Sequence, residues 1–65
     1  MPVVTIEMWE GRTPEQKKAL VKAVTSAVAS AIGCPPEAVE VIIHEVPKAN
    51  WGIGGQLASE KFPQK

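Results

Sequence analysis

The chain is poor in the residues that staple small proteins, with one cysteine, Cys34, and one histidine, His44. A disulfide within the chain is therefore excluded, and no second Cys or His stands at metal-ligand spacing. Net charge is absent as well: seven Lys or Arg balance seven Asp or Glu, scattered along the sequence. That balance argues against a nucleic-acid surface or an anionic membrane as partner. No apolar run approaches the roughly 18 residues that span a bilayer. Nothing ahead of Val3 resembles a signal peptide, so the cytoplasm is the expected location. Internal repeats, linkers and low-complexity segments are missing too.

What is present is a short chain with a high apolar share, 45% of 65 residues. One domain of this size buries only roughly 60% of the surface its unfolded form exposes, which leaves a marginal core. Disulfide and metal being unavailable, association with further copies is the remaining route to stability.

Val3 to Trp9 reads as a strand by its β-branched content and alternation, with Val4, Ile6 and Met8 opposed to Val3, Thr5, Glu7 and Trp9. Gly11 and Arg12 turn the chain. Thr13-Pro14-Glu15-Gln16 combines a hydroxyl N-cap, proline at the first helical position, an early acid and a capping-box glutamine. The helix is expected from about Pro14 to Ile32, with Leu20, Val24, Ala27, Val28 and Ala31 on its apolar face and Lys17, Lys18, Lys22 and Thr25 elsewhere. Gly33 and the double breaker Pro35-Pro36 stop it.

Val39 to Val46 is the second strand, and strand-helix-strand connectivity predicts a parallel pair joined by a right-handed crossover. The helix covers one face of such a pair. The other face keeps apolar side chains and is expected to pack against another subunit. Asn50 to Ser59 reads as a Gly-rich turn leading into a short hairpin, and Glu60 to Lys65 as a frayed tail. The predicted fold class is α/β of the small α+β kind: a β-α-β subunit with parallel strands and a C-terminal hairpin, in a single domain over residues 1–65.

The chemistry-bearing oddity is Pro2, directly behind Met1. If Met1 is trimmed, Pro2 becomes a secondary amine held at the end of a strand. An α-amino group ionises at about 7.7 to 8.0, and burial or a nearby cation lowers that value further. Such an amine can take a proton from oxygen or carbon and return it elsewhere on a substrate.

The motifs around it are MP ahead of a strand, EGR at Glu10 to Arg12, EQK at Glu15 to Lys17, VIIHEV ending the second strand and NWGIGGQLAS at Asn50 to Ser59. With these motifs the whole chain resembles the 4-oxalocrotonate tautomerase family of N-terminal proline enzymes. The resemblance implies a homohexamer of three dimers that works without a cofactor. It implies Pro2 as general base in the interconversion of enol and keto forms of a small 2-oxo acid such as 2-hydroxymuconate. Arg12 matches the family's carboxylate-binding arginine, a residue whose planar donor fork suits that task. Trp51 aligns with a phenylalanine that makes the pocket apolar. Beside these roles stand plainer ones, a solvated turn arginine and an interface tryptophan.

Glu40 breaks the pattern, for it occupies the place of a second arginine. A carboxylate there repels the far end of a dicarboxylate by kilocalories at short range. Three readings stand: a tautomerase for a monoacidic enol, a hydratase or dehalogenase in which Glu40 activates water, or Glu40 paired with Arg12 or a lysine as surface structure. A catalytically weak oligomeric scaffold is the reading from another class. His44 and Cys34 read as interface or surface and as a packing or loop thiol, and Gly52, Gly54 and Gly55 as turn residues without the Lys-Ser/Thr that would complete a phosphate loop.

Overall fold

A computed structural model describes residues 1–63. Strand β1 spans Val3–Trp9, helix α1 Pro14–Ile32, strand β2 Glu40–Val46, strands β3 Gly52–Ile53 and β4 Gln56–Leu57, and helix α2 Ala58–Lys61. Single 3₁₀ turns over Pro36–Ala38 and Lys48–Asn50 precede β2 and β3. β1 and β2 pair in parallel from Val3↔Glu40 to Trp9↔Val46, as the connectivity predicts. β3 and β4 form the expected hairpin. Its turn residues Gly54 and Gly55 have φ of 61° and 85°, the positive pair that a tight primed turn needs and that favours glycine.

The ends of α1 are fixed by local chemistry. Thr13 Oγ1 accepts from the Gln16 backbone N–H at 3.1 Å, and Gln16 Oε1 accepts from the Thr13 N–H at 3.0 Å, closing a capping box. At the other end Gly33 sits at φ 73°, and the N–H groups of Gly33 and Cys34 both converge on the Ala29 carbonyl.

The covered stripe of α1 differs from the expected one. Lys17, Leu20, Val21, Val24, Thr25, Val28 and Ala29 are half-buried, whereas Ala27 and Ala31 are exposed. At 100° per residue the stripe runs from Leu20 round to Ala29 with Lys17, Val28 and Val21 near its middle, which leaves Ala27 on its flank; Ala31 falls within the stripe's angle but in the last turn of the helix. Lys17 can occupy the centre because its ammonium donates to Glu45 Oε1 of β2 at 2.8 Å. The C-terminal segment is corrected as well. Residues 58–61 are helical and Phe62 packs on Trp9, so the described part is no frayed tail; Gln64 and Lys65 lie outside the described residues.

Along both strands the half-buried positions Val4, Ile6, Met8, Val41 and Ile43 face α1. Val3, Thr5, Glu7, Glu40, Ile42 and His44 lie exposed on the opposite face. His44 Nδ1 lies 2.9 Å from Glu7 Oε2 on that open face. Among the described residues only Ala58 is fully buried. The radius of gyration is 14.8 Å, against about 11 Å for a compact chain of this length. A single copy is thus an elongated slab with a hairpin arm and no closed core.

Candidate active site

Pro2 is half-buried at the start of the sheet. Its carbonyl accepts from the Glu40 N–H at 3.0 Å, and the Met1 ammonium donates to the Ala38 carbonyl at 2.9 Å. The first residues are therefore zipped onto the segment entering β2. With Met1 in place the Pro2 nitrogen is a tertiary amide and carries no basic lone pair.

Glu40 stands beside this terminus, since Val3 and Glu40 are register partners. Its side chain is exposed, and among the described residues the ion pairs are Lys17–Glu45 and His44–Glu7. Within one copy and among the described residues, the pairing of Glu40 with Arg12 or a lysine, one of the three readings of the sequence, is not formed. Arg12 is three residues past the far end of β1, where no shared contact with β2's first residue is possible.

Arg12 belongs to a cavity of about 210 Å³ at the N-terminus of α1, lined also by Met8, Gln16, Lys17 and Leu20. Met8 and Leu20 supply an apolar floor, while Lys17 is neutralised by Glu45. The Arg12 guanidinium is left as the cation able to receive an anion bidentately. Gln16 and Lys17 were not singled out as site residues by the sequence. The capping box was the available signal for Gln16, because a side chain locked to a backbone N–H is also oriented.

Trp51 lies at the same end of the molecule as Arg12. Its ring stands edge-to-face to Trp9, centroids 6.0 Å apart at 80°, and Trp9 ends the strand that leads to Arg12. The Trp51 carbonyl accepts from the Ala58 N–H at 2.7 Å, which closes the base of the hairpin arm.

The four sequence-predicted residues therefore fall toward two ends of the sheet: Pro2 and Glu40 at one, Arg12 and Trp51 at the other, although Trp51 is not among the residues lining the Arg12 cavity. Pro2 and Trp9 are separated by seven strand steps, about 23 Å at 3.3 Å each.

Comparison with known proteins follows this geometry. The family described as "Tautomerase enzyme" matches residues 2–61. The chain belongs to the 4-oxalocrotonate tautomerase family. It is 53% identical over 60 residues to a 2-hydroxymuconate tautomerase of Comamonas testosteroni, covering 92% of this chain and 95% of that one. Among solved structures it resembles a 4-oxalocrotonate tautomerase isozyme from Methylibium petroleiphilum, with a TM-score of 0.90, 51% identity and coverage of 94% and 98%. It also resembles a heterohexameric 4-oxalocrotonate tautomerase from Chloroflexus aurantiacus, with a TM-score of 0.89, 42% identity and coverage of 92% and 97%. The chain is thus a 4-oxalocrotonate tautomerase-like isomerase, and the family fold is the β-α-β unit with hairpin described above.

Proposed function

We propose that this tautomerase interconverts the enol and keto forms of a small, monoacidic 2-oxo acid, with Pro2 as general base once Met1 has been removed. The amine nitrogen takes the enol hydroxyl proton, electron density moves through the conjugated system, and the resulting ammonium returns a proton to carbon. Electrons stay within the substrate and one proton is shuttled, so the step calls for no cofactor. Arg12 holds the carboxylate, and Trp51 walls the pocket and keeps it apolar.

The observation that carries this reading is the separation of the two groups. A small acid cannot reach from Pro2 to the far end of β1, about 23 Å away and beyond which Arg12 lies. A working site then takes its base from one copy and its carboxylate clamp from another, which ties catalysis to the oligomer that the coreless subunit calls for. A homohexamer of three dimers is the assembly proposed. Arg12 of a second copy would also disfavour the charged form of the Pro2 amine.

A second reading has support from one observation: Glu40 flanks Pro2 and is held in no ion pair among the described residues. There it would activate water for addition to an unsaturated acid. Glu40→Gln separates the two, abolishing hydration in the second reading while sparing ketonisation in the first.

The test is direct. Intact mass reports whether Met1 is gone, and ketonisation of phenylenolpyruvate and 2-hydroxymuconate is followed for the wild type and Pro2→Ala. Loss of the base is expected to lower kcat/KM by about 10²- to 10⁴-fold. Equal rates for the two proteins on both enols would remove Pro2 from the mechanism.

A further inference from the structure

Among the described residues, Trp9 meets the start of the C-terminal arm at Lys48 and Trp51 and its end at Phe62. Its ring meets Trp51 at 6.0 Å and Phe62 at 5.7 Å between centroids. Lys48 Nζ lies 4.8 Å above the same ring and donates to the Phe62 carbonyl at 3.1 Å. Strand, arm base and terminal segment therefore meet on one indole.

Its polar atom plays no part in this arrangement. Trp9 Nε1 is shut off from solvent and finds no acceptor among the described residues. A buried donor without a partner is a cost, so the side chain is retained there for its ring faces.

The hairpin has little else to hold it. β3 and β4 are two residues each and form a sheet of their own, unpaired with β1 and β2. Two short strands are not stable alone in water. The orientation of the arm, and with it the Trp51 ring, rests on the aromatic cluster.

We propose that Trp9 is a positioning residue: through edge-to-face contact with Trp51, backed by Phe62 and Lys48, it fixes the Trp51 ring, which the tautomerase reading above makes the apolar wall of the substrate pocket. The consequence for substrate rests on the tautomerase reading above, but the placement of Trp51 does not. Trp9 ends β1 three residues before Arg12, so the ring that holds Trp51 is anchored on the strand that leads to Arg12. Loosening it weakens substrate binding more than proton transfer, which in the proposed site is performed by Pro2 of another copy.

The sequence has two tryptophans, Trp9 and Trp51, so any Trp9 replacement leaves Trp51 as sole reporter. Trp9→Phe and Trp9→Leu are compared, after light scattering shows the same assembly, by acrylamide quenching of Trp51 and by steady-state kinetics on phenylenolpyruvate. Trp9→Phe keeps a ring in place and is expected to keep Trp51 protected. Trp9→Leu is expected to raise quenching and to raise KM about 3- to 10-fold, the range of one aromatic pair, with kcat changed less than about 3-fold.

Equal quenching in the two variants would overturn the proposal, as would a loss in kcat with KM unmoved. If Trp9→Leu does not assemble, Phe62→Leu made in the Trp9→Phe background removes the backing ring instead. Increased Trp51 quenching there supports the proposal, and unchanged quenching overturns it. Quenching needs no turnover, so an inactive wild type would defeat the tautomerase reading while leaving the positioning of Trp51 to be judged on its own result.

Discussion

Ile42 stands in the middle of the open sheet face, paired with Thr5 and 44% exposed in the single copy. If that face is where copies meet, Ile42→Lys should dissolve the assembly. Burying a whole isoleucine side chain is worth about 1.5–3 kcal/mol, so covering the remaining fraction contributes about 1 kcal/mol per copy. The lysine forfeits that and brings an ammonium that must be desolvated, pair or snorkel out, at a further cost of a few kcal/mol if it stays buried. Taking about 3 kcal/mol per copy as a conservative sum, association weakens by at least about 100-fold.

Sedimentation velocity over a dilution series reads this directly, with Lys18→Glu on the exposed side of α1 as the comparison. Because Ala58 is the only fully buried residue among those described, a dissociated copy has little to hold α1 on the sheet. Loss of far-UV helical signal should therefore accompany dissociation. An Ile42→Lys protein that sediments as the wild type at every concentration would refute the assignment of the open face. A monomer of unchanged helicity would refute the second step, that the subunit depends on its partners to stay folded.

Three further perturbations probe separate parts of the molecule. Thr13→Ala removes the acceptor of the Gln16 N–H while keeping the backbone donor to Gln16 Oε1, and should cost about 0.5–2 kcal/mol, read as a lower Tm at fixed protein concentration. Gly33→Ala meets no neighbour within 4 Å, so its cost is backbone strain at φ 73°, about 1 kcal/mol in a denaturant titration; a neutral result would show that the cap relaxes. Glu40→Arg replaces repulsion by attraction at the Pro2 end. Unit charges 5 Å apart at an effective dielectric of 20 interact by about 3 kcal/mol, so kcat/KM for 2-hydroxymuconate should rise at least about 10-fold relative to phenylenolpyruvate. No relative gain would remove the electrostatic account of substrate choice.

The parts of the fold that sequence discloses are those set by residues close together in the chain. Thr13, Pro14 and Gln16 define the start of α1 because a cap is a contact three residues long, and Gly33 defines its end because a left-handed residue suits glycine. The parallel sense of the β1–β2 pair follows from connectivity. The helix face was legible only in outline: a lysine counts as polar in any periodicity, and nothing nearby in sequence announces that Glu45 on β2 will neutralise Lys17 and let its stem lie in the covered stripe. Phe62 escaped for the same reason, its partners being Trp9 at the other end of the chain and Lys48 one turn before the hairpin.

The candidate site was legible by residue type and illegible by position. Pro2, Arg12, Glu40 and Trp51 carry recognisable chemistry, yet a strand of seven residues puts Pro2 and Arg12 at opposite ends, and no local pattern says which copy completes which pocket. That separation changes what oligomerisation means here. In a chain whose site lay within one subunit, association would only add stability, and a weakened interface would leave activity proportional to the folded fraction. On the proposed mechanism, base and clamp come from different copies, so activity should fall with the second or higher power of subunit concentration below the assembly threshold. On that reading the open sheet face and the sharing of the site between copies have one root: a chain too short to bury a core or to bring Pro2 and Arg12 together within one subunit.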